Sequence, residues 1–195
     1  MARYAAFLDA CTIVPLAPCD TLLRMADAGA FRPLWSARVL DEAMRALVRI
    51  HPGVDPSRFQ SRFNSMNHAF DDALVSGWEP LVGALELPDQ DDRHVVAAAL
   101  LGRADAIVTA NVKDFPSTVL GPLGLEAVTV DDFLLNQLGL SEASTLAVVR
   151  AQAEAMRHPP VELDELLSRL RRSGAPKFAA AVDALTGDDA DTQSA

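Results

Sequence analysis

Asp89, Asp91 and Asp92 put three carboxylates within four residues, at the head of the stretch DQDDRHVVAAALLGRADAIVTANVKDFP. One Asp at a helix start is ordinary, because it caps free backbone N–H groups and suits the positive end of the helix dipole. Three repel one another, and a fourth, Asp114, follows close behind. Carboxylates gathered in this way want a cation. What they could do depends on which other acids meet them, and so on the elements that carry each one.

Tyr4 to Leu8 is short, continuous and apolar, as in a strand buried on both faces of a parallel sheet. Asp9 ends it, at the carboxyl edge where open parallel sheets bind ligands; its other use would be to cap the following turn. Pro15 and Pro18 mark a turn, Asp20 to Ala28 has helical spacing stopped by Gly29, and Phe31 to Trp35 reads as a link. Ser36 is placed to cap a helix running to about Ile50, with an apolar stripe of Val39, Leu40, Ala43, Leu47 and Val48. Glu42 falls at the edge of that stripe, pointing into a cleft or solvated beside Arg38 or Arg45. After the break at His51-Pro52-Gly53, a helix is expected over Pro56 to Leu74, with Phe59, Phe63, Met66 and Phe70 on one side. Trp78 to Val82 reads as a second strand, shortened by Pro80. A helix headed by Asp92 runs to Gly102, and the strand Ala106 to Thr109 follows. Glu126 to Thr129 makes a fourth strand, and Val130 to Leu138 a helix begun by Asp131 and Asp132. The alternation predicts an α/β layered domain with a mainly parallel sheet, ending near residue 138.

Beyond it the character changes. A helix from Ser141 to about Arg157 is broken by Pro159 and Pro160, and Leu163 to Arg172 and Lys177 to Leu185 make two more. The expected organisation is a domain over 1–140, a helical extension over 141–185 that packs or binds a partner, and a disordered acidic tail over 186–195. Half of the 195 residues are hydrophobic, ample for a core. The net charge of −10 argues against a protein held to nucleic acid mainly by phosphate contacts, though not against a nuclease whose metal ions offset its own acids. Cys11 and Cys19 show no zinc spacing and make no disulfide framework, so a reduced, cytoplasmic setting is expected. No run approaches the ~18 apolar residues of a membrane span.

Asp9, Asp92 and Asp114 share one edge if the sheet is parallel: two follow strands, and the helix leading into the Ala106 strand must begin at that edge; Glu42 needs the right helix rotation to join them. Oxygen ligands without Cys or His select hard cations, Mg²⁺ or Mn²⁺, over zinc. Asp89 and Asp91 compete with Asp92, which lies one turn before the packing face Val95-Val96-Ala97. His51, His68, His94 and His158 are scattered and take no role here; His94 reads as a structural histidine.

The segments FLDACTIVP, WSARVLDEAMRAL, DQDDRHVVAAAL and ADAIVTANVKDFP, in this order over about residues 5 to 135, resemble those of PIN-domain ribonucleases, in particular bacterial VapC-type toxins. The resemblance implies a three-layer α/β/α fold, Mg²⁺- or Mn²⁺-dependent endoribonuclease activity, a cognate antitoxin and a homodimer. It places the metal-binding acids at Asp9, Glu42, Asp92 and Asp114, with Asn111 competing for the fourth place. Cys11 departs from the small hydroxyl residue that many relatives carry there. On this reading, metal held by Asp9, Asp92 and Asp114 activates water for in-line attack on RNA, and Glu42 completes the shell of a second metal or orients that water. Arg93 and Lys113 are candidates for phosphate contact or simply solvated charges. A haloacid-dehalogenase phosphatase would need a second Asp where Cys11 stands, and a response-regulator receiver an acid pair beside Asp9. The remaining alternative is a PIN-like binding or regulatory module without cleavage.

Overall fold

The computed structural model describes residues 4–156 and 161–192. By packing, the chain divides into two compact units, one of residues 1–14 with 31–129 and one of 15–30 with 130–195.

The first unit is built on a five-stranded, wholly parallel sheet in the order β3-β2-β1-β4-β5. Its strands are β1 (Ala5–Leu8), β2 (Arg32–Ser36), β3 (Leu74–Val75), β4 (Ala106–Val108) and β5 (Glu126–Val128). Every side chain of β1 and β4 is buried, which is why both read as unbroken apolar runs rather than alternating ones. Helices pack on the sheet, among them α3 (Ala37–Ile50), α4 (Pro56–Ala69) and α5 (Arg93–Leu101). This is the α/β/α class that the sequence predicts. A one-turn helix α1 (Ala10–Ile13) follows β1 directly.

Several elements differ from expectation. The Phe31–Trp35 link is a strand, hidden in the sequence by Pro33. Arg32 N–H donates to Tyr4 O on the β1 side and Trp35 N–H to Ala73 O on the other. The missing N–H of Pro33 therefore faces the β3 side, where β3 pairs only from Trp35 onward. The expected strand at Trp78–Val82 is instead a 3-10 turn over Glu79–Ala84, with Pro80 in its first turn, where an N–H is dispensable. The helix expected to reach Leu74 stops at Ala69, since Leu74 is needed as the first residue of β3. The sheet thus has five strands, and the one expected as the fourth is the fifth.

The second unit is helical: α2 (Leu16–Asp27), α7 (Val130–Leu140), α8 (Glu142–Ala155), α9 (Leu163–Arg172) and α10 (Pro176–Thr192). Near the end of the first unit a short α6 (Ser117–Leu120) precedes β5. The early helix α2 is thus part of the unit that the sequence reading treats as an appendage. A buried polar bond holds it there: Thr21 Oγ1 donates to Gln152 Oε1 at 2.7 Å, and Gln152 Nε2 donates to Ala17 O at 3.0 Å. The segment over 186–192, expected to be disordered, continues α10, which meets no proline after Pro176. Arg157, His158, Pro159 and Pro160, and the last residues of the tail, 193–195, lie outside the described residues.

Asp131 does not simply open its own helix. Its buried carboxylate accepts from the N–H groups of Lys177 (3.1 Å) and Phe178 (2.8 Å), in the first turn of α10. It therefore caps a helix 45 residues downstream, and Lys177 Nζ reaches Asp132 at 2.9 Å beside it. Asp131→Ala should destabilise the protein by about 2 kcal/mol, the usual loss for hydrogen bonds to a charged acceptor. Urea unfolding measures this, and an unchanged midpoint would deny the cap any role.

Candidate metal-dependent nuclease site

The strand register sets the first half of the site. Ala6, Phe7 and Leu8 of β1 pair with Ala106, Ile107 and Val108 of β4, so the next residues out, Asp9 and Thr109, come side by side at the carboxyl edge. Thr109 Oγ1 donates to Asp9 Oδ2 at 2.8 Å, and Cys11 Sγ lies 3.1 Å from the same oxygen. Asp9 Oδ1 accepts from Ala10 N–H at 2.6 Å and so caps α1. The capping reading of Asp9 is what these bonds show, with one oxygen capping α1 and the other turned to the strand ends. Cys11 Sγ accepts from Ala110 N–H at 3.1 Å. Burial, then the negative charge of Asp9, push its thiol up to about 11, so at neutral pH it stays protonated and serves as a donor.

Asp92 stands at the head of α5 with no capping hydrogen bond from its side chain. Asp89 caps the 3-10 turn just before α5, Gln90–Asp92, accepting from Asp91 N–H at 2.9 Å. Asp91 is exposed, whereas Asp92 is half-buried. Burial and then the charges of Asp9, Asp89 and Asp114 raise the Asp92 carboxyl to about 6, with His94 opposing in part. These acids therefore share one field, and Asp92 is the member of its cluster that faces Asp9 and Asp114. Asp114 closes a 3-10 turn over Val112–Asp114 and is half-buried; Asn111 is exposed, its backbone N–H donating to Thr109 Oγ1 at 3.1 Å.

Glu42 lies on α3, whose first turn is capped by Ser36 at the carboxyl end of β2, with Val39 N–H donating to Ser36 Oγ. Its Oε1 accepts from His94 Nε2 at 3.1 Å and from Arg38 Nε at 3.2 Å. Burial alone would raise this carboxyl, but the bonds and charge of His94, then of Arg38, hold it below its usual range. The sequence reading takes His94 as a structural histidine, and it is buried, but its bond to Glu42 was missed. Its position two residues after Asp92 on a helix start was the available hint, but the partner, Glu42, is remote in sequence.

Among the described residues, no three His, Cys, Asp or Glu groups lie close enough together to hold a metal ion as they stand. Among the same residues Asp9 accepts only from neutral donors, and neither Asp92 nor Asp114 forms an ion pair with a lysine or arginine. An all-oxygen donor set with uncompensated charge at a sheet edge fits a hard divalent cation.

The chain belongs to the PIN domain family, which it matches over residues 5–113, and it also matches the VapC50 C-terminal domain over residues 130–184. It is 42% identical over 108 residues to the Mycobacterium tuberculosis protein named "Putative ribonuclease VapC50". That alignment covers 55% of this chain and 63% of the relative, a little under two thirds of its length. No solved structure matches the chain.

The fold disfavours the charged form of Asp92, holding its proton to about pH 6, against about 4 in an unfolded chain. Metal-free protein should therefore lose stability as pH rises from about 4 to about 6, with the whole loss present above that window. Asp92→Asn should melt higher than wild type at pH 7.5 in chelator (~0.1 M salt), and the two should converge near pH 4. Equal melting at pH 7.5 would deny the shared field.

Proposed function

We propose that this protein is a metal-dependent endoribonuclease that acts as the toxin of a toxin–antitoxin pair. The observation that carries the reading is the carboxyl edge of a parallel sheet, where Asp9 meets Thr109 at the strand ends and where burial, then the charges of Asp9, Asp89 and Asp114, raise Asp92. Membership of the PIN family and the ribonuclease name of the relative support it. Asp9, Asp92 and Asp114, with Glu42 at the flank, would hold Mg²⁺ or Mn²⁺. Bound there, the ion supplies positive charge for the phosphodiester and makes a coordinated water more acidic.

The chain's own residues do the rest. Thr109 and Cys11 hold the Asp9 carboxylate in one orientation through neutral donors, leaving its charge intact for the ion. Asp92, whose charged form is penalised by burial and by the neighbouring carboxylates, gains from a cation. Arg93 and Lys113 have no ion pair among the described residues, and the Arg93 Nε is buried without a hydrogen-bond partner. Both are free to meet phosphate oxygens next to the acids. The −10 charge of the chain opposes RNA approach and suits a basic antitoxin segment. A homodimer and a cytoplasmic site of action complete the proposal; no described helix is long and apolar enough to cross a membrane.

Purified protein should cut a pool of structured RNA with Mg²⁺ or Mn²⁺ and not with chelator. Asp9→Asn and Asp92→Asn should each reduce cutting by at least about a hundredfold, the equivalent of several kcal/mol of lost charge stabilisation. Both should keep the wild-type circular dichroism. Full activity in either variant overturns the site, and no cutting by wild type, with growth unaffected on expression, favours a binding module.

A further inference from the structure

His94 is 2% exposed, yet it lies against a carboxylate of the proposed metal site. Its Nε2 is 3.1 Å from Glu42 Oε1, its ring sits 5.8 Å from that of Trp78 at 47°, and its Nδ1 is buried without a hydrogen-bond partner. A buried N–H with no acceptor costs more than a buried lone pair with no donor, because carbonyl-like acceptors are more readily left unfilled. The geometry therefore puts a proton on Nε2, donated to Glu42. Arg38 also reaches Oε1, but it is 43% exposed, and an exposed pair at this spacing on one helix fixes little. Both donors take the same oxygen. Among the described residues, Oε2 accepts no hydrogen bond and remains available to a ligand.

We infer that His94 is a positioning residue: a buried strut from α5 that locks one Glu42 oxygen and thereby presents the other to the cation held beside Asp92. This rests on the metal-site reading above. The strut joins the two helices that carry Glu42 and Asp92, so it sets their separation as well as the carboxylate's rotation. Ligand-orienting partners of this kind typically change metal affinity by roughly 10- to 100-fold when removed.

The test is Mn²⁺ binding to full-length protein, followed by calorimetry and by loss of the free-ion electron paramagnetic resonance signal. His94→Phe keeps the ring against Trp78 and removes the donor; it should weaken Mn²⁺ binding by roughly 10- to 100-fold while melting in chelator like wild type. His94→Gln carries an amide donor about as far out as Nε2 and should bind near wild type, whereas the shorter His94→Asn should not. This amide pair decides the matter even if His94→Phe folds poorly. In a Glu42→Gln background, His94→Phe should add no further loss. Equal affinity of the Gln and Asn variants, or an undiminished His94→Phe effect in Glu42→Gln, would overturn the positioning role alone. A wild-type protein that binds no Mn²⁺ would overturn both this inference and the metal-nuclease reading.

Discussion

Two strand ends that pair in parallel place a carboxylate beside a hydroxyl, and the site grows from that pairing. Asp9 and Thr109 meet because β1 and β4 hold a single register, and a slip of either strand by one residue would turn its side chain to the opposite face. Complete burial of β1 and β4 fixes the register more firmly than any polar contact could. The hydrophobic core thus does indirect electrostatic work. It holds Asp9 where its charge is felt by Asp92, although like charges would separate if the backbone allowed it.

Two kinds of support surround the acids. Asp9 is held by neutral donors from its own turn and from the neighbouring strand, an arrangement that orients a carboxylate without cancelling its charge. Glu42 is held by an imidazole and a guanidinium, and its carboxyl is correspondingly easy to ionise. Asp92 has neither kind of support, and burial, then the neighbouring carboxylates, raise its carboxyl to about 6. The site therefore pairs one acid eased toward ionisation, Glu42, with one that resists charge, Asp92.

Much of this was legible in the sequence because topology constrains it. An apolar run ended by an Asp, and an acid-headed helix leading into another apolar run, can meet only at one edge of a parallel sheet. The choice of Asp92 over Asp91 followed helix phase, and the structure buries the two differently in the same sense. What escaped depends on rotation and on partners remote in the chain. The bond from His94 to Glu42 joins two helices whose relative roll no local pattern encodes. Strand β2 was masked by a proline that is harmless only because its neighbour is so short. Asp131 looked like an ordinary helix opener, since nothing near it in sequence announces the helix end that it serves.

The membership of α2 in the second unit has a consequence for how the protein is made. The chain leaves the first unit after Val14 and re-enters at Phe31, so α2 emerges from the ribosome long before its packing partners. At translation rates of about 5–20 residues per second, the delay between Thr21 and its bonded partner Gln152 is on the order of ten seconds. Throughout that interval the sheet can assemble around β1, β2 and β4, while α2 waits with its apolar face uncovered. Synthesis therefore completes the acid edge first and the helical unit last, and the two halves of the molecule come of age at different times.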